Sequence, residues 1–194
     1  MTVYLCPAVH RSPLVPNGFS MPEALVVTAI LCTISAIALP TFISSYESCC
    51  INAAVADITG MIREAKQNAL VNEIYYAIGF DPVAGKISLI SGKGRDGRWG
   101  TADDTVVRSF RLAEKGGGLT FGYGRYKPLP NCAAAPDGVS FQNNNTLICN
   151  PEMTGTAGVA YLITRSGSAI AIKMNSTDYG YTLWRWDGRK WARI

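Results

Sequence analysis

Polar and apolar positions along this chain fall into three regimes. From Ala24 to Ile43, 20 residues pass without a charge. As a helix rising ~1.5 Å per residue, such a run spans the ~30 Å hydrocarbon layer of a bilayer. Beyond Pro40 the pattern changes rather than stops: Ile51, Val55, Ile58, Ile62, Ala65 and Ala69 recur at three- and four-residue steps. Glu47, Asp57, Arg63, Glu64 and Lys66 fall largely between them, which predicts an amphipathic helix. The two regimes join into one helix from Ser20 to about Asn72, roughly 80 Å long by its rise. From Glu73 onward the apolar runs become short and are cut by turn residues: "IYYAIGF", "KISLI", "TVVRSFRL", "GLTFGYG", "GVAYLITRSG", "SAIAIKM" and "YTLWRW". These read as strands. The predicted architecture is α+β. A long N-terminal helix, transmembrane in its first half and amphipathic in its second, packs the second half on an antiparallel β-rich head.

Composition narrows this picture. With 194 residues, 48% apolar and 16% charged, the chain suits one ordinary domain with an appendage and is neither disordered nor multi-spanning. No second run resembles Ala24–Ile43, so one membrane segment is the maximum. A cleaved secretory signal has a shorter apolar core, ~7–15 residues, followed by a small-residue cleavage site; here the run is longer and continues as helix. The residues ahead of it, Met1 to Gly18, carry Arg11 and His10, the only histidine, and no acid. That favours a cytoplasmic leader and an exported body. The organisation predicted is leader 1–18, spine helix 19–72 and globular head 73–194. Once the leader is removed no histidine remains, which excludes histidine triads and histidine metal sites. There is no P-loop, dinucleotide fingerprint or CxxC, and nothing points to an enzyme.

The junction before the apolar run is its most informative stretch. Ser20-Met21-Pro22-Glu23 fits the S-x-x-E capping box, and Pro22 suits an early helical position. Gly18-Phe19-Ser20-Met21-Pro22-Glu23, the charge-free run and then Ala38-Leu39-Pro40-Thr41-Phe42 also resemble the class III signal of type IV pilins and type II secretion pseudopilins. The resemblance is specific because three spacings agree together. It implies cleavage after Gly18 by a prepilin peptidase, N-methylation of Phe19, Glu23 as the fifth mature residue and a helix-kinking Pro40 as the twenty-second. Pro22 departs from the pattern, since the family usually has an aliphatic residue there. Physics gives the acid a reason: a lone carboxylate in hydrocarbon costs ~2.5–3.5 kcal/mol at mid-membrane. Paired with the Phe19 amine of a neighbouring subunit, it would select one register of packed helices.

Over the head the resemblance is weaker and suggests the FimT/GspH-like minor group. What the family implies is a non-enzymatic structural subunit of the bacterial inner membrane, its head in the periplasm, later drawn into a filament through its N-terminal helices. Three versions follow: a minor pilin of a type IV pilus, a pseudopilin of type II secretion, and a minor pilin whose head binds DNA for uptake.

Three head features bear on that choice. Cys132 and Cys149 enclose turn-rich sequence; exported to an oxidising space, a disulfide between them would stabilise the head by ~3 kcal/mol, two buried thiols being the alternative. Such a bridge would favour pili. Cys49 and Cys50 are adjacent on the helix and point about 100° apart. "GKGRDGRWGTADDT", Gly92 to Thr105, offers Asp96, Asp103 and Asp104 as hard oxygen donors and is similar to calcium-holding loops of some pseudopilins. Lys93, Arg95 and Arg98 oppose a cation there, and a glycine-rich hairpin loop with aspartates at turn positions is the other reading. In "WRWDGRKWARI", Asp187-Gly188 predicts a two-residue hairpin turn. That sets Trp186 opposite Arg189, Arg185 opposite Lys190 and Trp184 opposite Trp191. The tryptophans would pack on the helix or, with Arg185, Arg189, Lys190 and Arg193, contact DNA. From Ile74 onward the chain has 15 Lys+Arg against 9 Asp+Glu, which suits a polyanion.

Overall fold

The computed structural model describes residues 20–132, 135–176 and 180–194. The leader, Gly18 and Phe19 lie outside the described residues. The fold is α+β: among the described residues one long helix, α1 (Met21–Asn72), precedes nine strands. Two units divide the chain, Met1–Thr41 and Phe42–Ile194. The division falls inside α1, one residue after Pro40. The amphipathic half of α1 thus belongs to the same unit as the strands.

In the first unit, Met21 to Thr41 is helical and exposed at every position. In the second, α1 buries one stripe. All six apolar positions picked out by periodicity are inside: Ile51, Val55, Ile58, Ile62, Ala65 and Ala69. Cys50, Ala54, Thr59 and Met61 widen the stripe. Among the charged residues read between them, Asp57 and Arg63 are exposed, Glu64 and Lys66 half-buried and Glu47 buried.

The strands form two antiparallel sheets. β1 (Tyr76–Asp81), β2 (Lys86–Gly92), β3 (Thr105–Arg111) and β5 (Thr146–Cys149) make the first, in the order β3-β2-β1-β5. β4 (Thr120–Phe121), β6 (Gly158–Ile163), β7 (Ala169–Met174), β8 (Tyr181–Trp186) and β9 (Trp191–Arg193) make the second, in the order β4-β6-β7-β8-β9. Both sheets turn one face to the same core. Ile78 and Phe80 of β1, Leu89 of β2 and Leu147 of β5 join Leu162, Ile170 and Ile172 of the second sheet against the α1 stripe. Alternation along each strand places every second residue on this face.

A second, smaller cluster occupies the other face of β6–β9. It holds Tyr161, Ala169, Ala171 and Trp191, with Trp184 and Trp186 packed against it. A loop carrying Tyr123, Tyr126 and Leu129 contributes to the same cluster. Tyr161 is fully buried, and its hydroxyl accepts the Leu129 amide at 2.9 Å. Burial, opposed by that amide, pushes the phenol up to about 12.

Candidate functional site

The first candidate is the exposed half of α1. Large apolar side chains, Leu25, Ile30, Leu31, Ile34 and Ile37 among them, stay more than half exposed. Two hydroxyls in this run are turned inward on the helix itself: Thr28 Oγ1 donates to the Ala24 carbonyl at 3.0 Å and Thr33 Oγ1 to the Ala29 carbonyl at 2.7 Å. Back-bonding of this kind satisfies a hydroxyl where no water is available to do so. Glu23 is the acid of the first turn. Its carboxylate accepts the Ser20 hydroxyl at 3.4 Å, so the two residues of the capping-box motif meet side chain to side chain. Pro40 sits within α1, with helix on both sides, and has no N–H to give the carbonyl four residues back. This is one helix long and apolar enough to cross a membrane.

The aspartate-rich loop between β2 and β3 is pinned by its own carboxylates. Asp104, buried, accepts the Gly94 amide at 3.2 Å on one oxygen. Its other oxygen accepts Gly100 at 2.7 Å and Thr101 at 3.1 Å. Asp103 accepts the Thr101 hydroxyl at 2.8 Å and the Asp96 amide at 3.3 Å. The Thr101 hydroxyl in particular holds the Asp103 carboxyl below its usual range. Asp96 accepts the Arg98 amide at 2.8 Å. These hydrogen bonds pin the loop, and among the described residues no group of three acids, cysteines or histidines assembles that could hold a metal. The pinned loop lays Trp99 on the outer face of the first sheet, against Ala77 and Ile90, which pair across β1 and β2, and Ile148 of β5. Ala77 is the small residue that leaves room for the indole. Gly100, at φ 75°, approaches Asn144 and Thr146 so closely that a Cβ would lie 2.7 Å from Thr146 Oγ1.

The C-terminal hairpin departs from its predicted register. Trp186 lies opposite Trp191, Arg185 opposite Ala192 and Trp184 opposite Arg193. The loop is four residues, because the Asp187 carboxylate accepts both the Arg189 and Lys190 amides at 2.8 Å and the Asp187 amide donates to the Lys190 carbonyl at 3.1 Å. Those two amides keep the Asp187 carboxyl below its ordinary range. A two-residue shift leaves every side chain on its predicted face, so the three indoles still share one side. That side is turned from the helix: the tryptophans pack in the smaller cluster, with Tyr126 stacked on Trp186 at 4.7 Å. Arg185, on the opposite face, donates to Asn52 of α1. Arg189, Lys190 and Arg193 are exposed.

Cys132 and Cys149 are not joined. Cys149 is buried in the main core, whereas Cys132 is half-buried beside the smaller cluster on the other side of the second sheet. On α1, Cys50 faces the core and Cys49 is exposed.

Sequence reasoning missed two residue groups. Glu47, read as a solvated position, is 6% exposed, and its carboxylate accepts the Ser166 amide at 2.8 Å in the β6–β7 turn. Hydrogen bonding by Ser166 holds it below the usual carboxylate range despite burial. Its signal was its place four residues before Ile51, on the buried stripe. The other group is Arg125 and Lys127, exposed on either side of Tyr126; the Lys127 carbonyl accepts the Trp191 indole N–H at 2.8 Å. The fold thereby adds two cations to the hairpin's own.

No family model and no curated protein matches the chain. Among solved structures, it is similar to the minor pseudopilin EpsH from the Type 2 Secretion System of Vibrio cholerae. Identity is 9% and the TM-score 0.44, over 68% of this chain and 94% of that one. A likeness at that level bears on neither activity nor partners.

Proposed function

We propose that this chain is a pilin-like structural subunit: held in the inner membrane by the first half of α1, cleaved after Gly18, and assembled into a filament through packing of such helices. The observation that carries the proposal is the exposed, charge-free and mostly apolar run of Ala24–Ile43 with one carboxylate, Glu23, at its leading edge. A charge-free, mostly apolar run of 20 residues is unfavourable in water, and lipid or like helices cover it. Glu23 then needs a cation where water is scarce, and the new amine of Phe19 on a neighbouring subunit supplies one. The head serves as the exported, outward-facing body, and no catalytic role is assigned to it. The reading is made for the filament subunit in general. Cys132 and Cys149, which would favour a pilus, are unjoined, and Asp96, Asp103 and Asp104, which would favour secretion, are occupied by amides.

N-terminal sequencing of the mature protein from its host, together with Glu23→Gln in the full chain, tests this. The mature protein is expected to start at methylated Phe19. The Glu23→Gln variant is expected to insert normally and to be lost from sheared filaments. A different mature N-terminus, or normal assembly of Glu23→Gln, would sink the reading.

A second reading, contact between the head and DNA, draws on the cations gathered around the indoles. Arg125, Lys127, Arg189, Lys190 and Arg193 are exposed on the segments that carry an aromatic cluster, in which Tyr126 stacks on Trp186 and Trp191 meets Trp186 edge-on. Phosphate neutralisation with base stacking is how single strands are held. Retention of the full chain on immobilised DNA should weaken with salt and with Arg189→Ala/Lys190→Ala. Salt-independent retention, or none, removes this reading.

A further inference from the structure

Beside Trp99, on the outer face of the first sheet, lies an open cleft of about 1040 Å³, at the upper end of ordinary ligand pockets, about 300–1,000 Å³. Its lining is unusual in sign. Lys93 and Arg98 contribute two cations, Asn143, Asn144 and Asn150 three amides, Thr101 and Thr156 two hydroxyls, and no carboxylate lines it. Tyr75, 55% exposed, and Ile148 supply the apolar wall.

The geometry points to this cleft as a binding site for a carboxylated sugar unit of an acidic polysaccharide. Among the described residues no acid is in ion-pair contact with Lys93 or Arg98; Lys93 lies over the Trp99 ring, 5.6 Å from its centroid. A guanidinium takes a carboxylate through two parallel hydrogen bonds. Amides and hydroxyls, each able to donate and accept, match a ring bearing several hydroxyls. An exposed phenol beside an isoleucine offers a flat apolar surface to the C–H face of a pyranose. Asn143, Asn144 and Asn145 hold left-handed backbones, with φ of 53°, 61° and 54°, a conformation costly for side-chain-bearing residues and concentrated at binding sites. Asn144 is fixed by donating to the Gly100 carbonyl and Asn145 by donating to Asp137 at 2.7 Å. The turn is thus built, and it brings Asn143 to the cleft wall. A nucleic acid would suit the charge, but successive bases need successive rings, and Tyr75 is the single exposed one in this lining.

The test uses the full chain in detergent micelles, with trigalacturonate as probe, tryptophan fluorescence and calorimetry as readouts, and Trp99→Phe to assign the optical signal. The fully methyl-esterified sugar and a short oligothymidylate of matched charge are the comparisons. Saturable binding is expected, with about tenfold or greater loss of affinity in Arg98→Ala, a smaller loss in Arg98→Lys, and loss in Asn143→Gly, which keeps the left-handed backbone. The ester should bind at least about tenfold more weakly for the same reason. Arg98 and Asn143 are exposed, so an unchanged melting temperature separates lost binding from lost fold. Absence of saturable binding, or binding indifferent to Arg98→Ala, overturns the assignment. Tighter, Arg98-dependent binding of the oligothymidylate overturns it in favour of nucleic acid.

Discussion

The two halves of α1 share a backbone geometry and differ in where their apolar side chains find company. In the first half Leu25, Ile30, Ile34 and Ile37 are exposed, and the hydroxyls of Thr28 and Thr33 are folded back on the helix. In the second, Ile51, Ile58 and Ile62 are at most 1% exposed within the chain's own core. Hydrophobicity on every side demands an external solvent or partner, whereas a single stripe can be satisfied by the same chain. Absence of charge marks the first half, and the three- and four-residue period of the apolar positions marks the second.

The sharpest way to break this comparison is a pair of matched truncations. Ile58→Ala removes a fully buried side chain facing both sheets and should lower head stability by about 2–5 kcal/mol, read from denaturant unfolding of the full chain in detergent. Ile34→Ala should change the same transition by less than about 0.5 kcal/mol. Equal effects would abolish the distinction.

Glu47→Ala comes next, at about 1–3 kcal/mol, because it removes a charge-assisted hydrogen bond from the Ser166 amide to a buried carboxylate. Its titration has a defined sign. The folded carboxyl lies below its ordinary value of 4.5, so its contribution is complete above that pH and disappears as pH falls through the depressed folded value. Melting curves should therefore show the gap between wild type and Glu47→Ala narrowing below about 4.5.

In the smaller cluster, Trp186→Ala removes the stack on Tyr126, worth about 0.5–1.5 kcal/mol beyond the area lost, while leaving the α1 core intact. Thermal unfolding should remain cooperative at a lower midpoint. The smallest effect is expected from reductant. With Cys132 and Cys149 unjoined, dithiothreitol should leave the melting temperature unchanged; a drop of several degrees would show a bridge after all.

What sequence made legible was local. The α1 stripe, its end at Asn72 and seven of the strands follow from periodicity, because each depends on neighbours three, four or two residues away. β5 was hidden: "TLIC" is only four residues and follows three asparagines that read as loop. The division into two sheets was invisible because alternation marks a strand and not its partner. Asp187-Gly188 suggested a two-residue turn, but the Asp187 side chain caps two later amides and draws Arg189 and Lys190 into the loop. Candidate chemistry was open for a related reason. The acids of the β2–β3 loop look like metal donors in one dimension, and folding adds the loop's own amides and the Thr101 hydroxyl as their partners. Glu23 and Pro40 were placed by spacing alone.

Because Glu47 and the Ile51–Ala69 ladder are embedded beneath both sheets, the second half of α1 behaves mechanically as a handle set into the head. Tension along the helix axis would load many buried contacts together in shear instead of peeling them one after another. A molecule drawn out of a bilayer by its helix would therefore carry its head along intact.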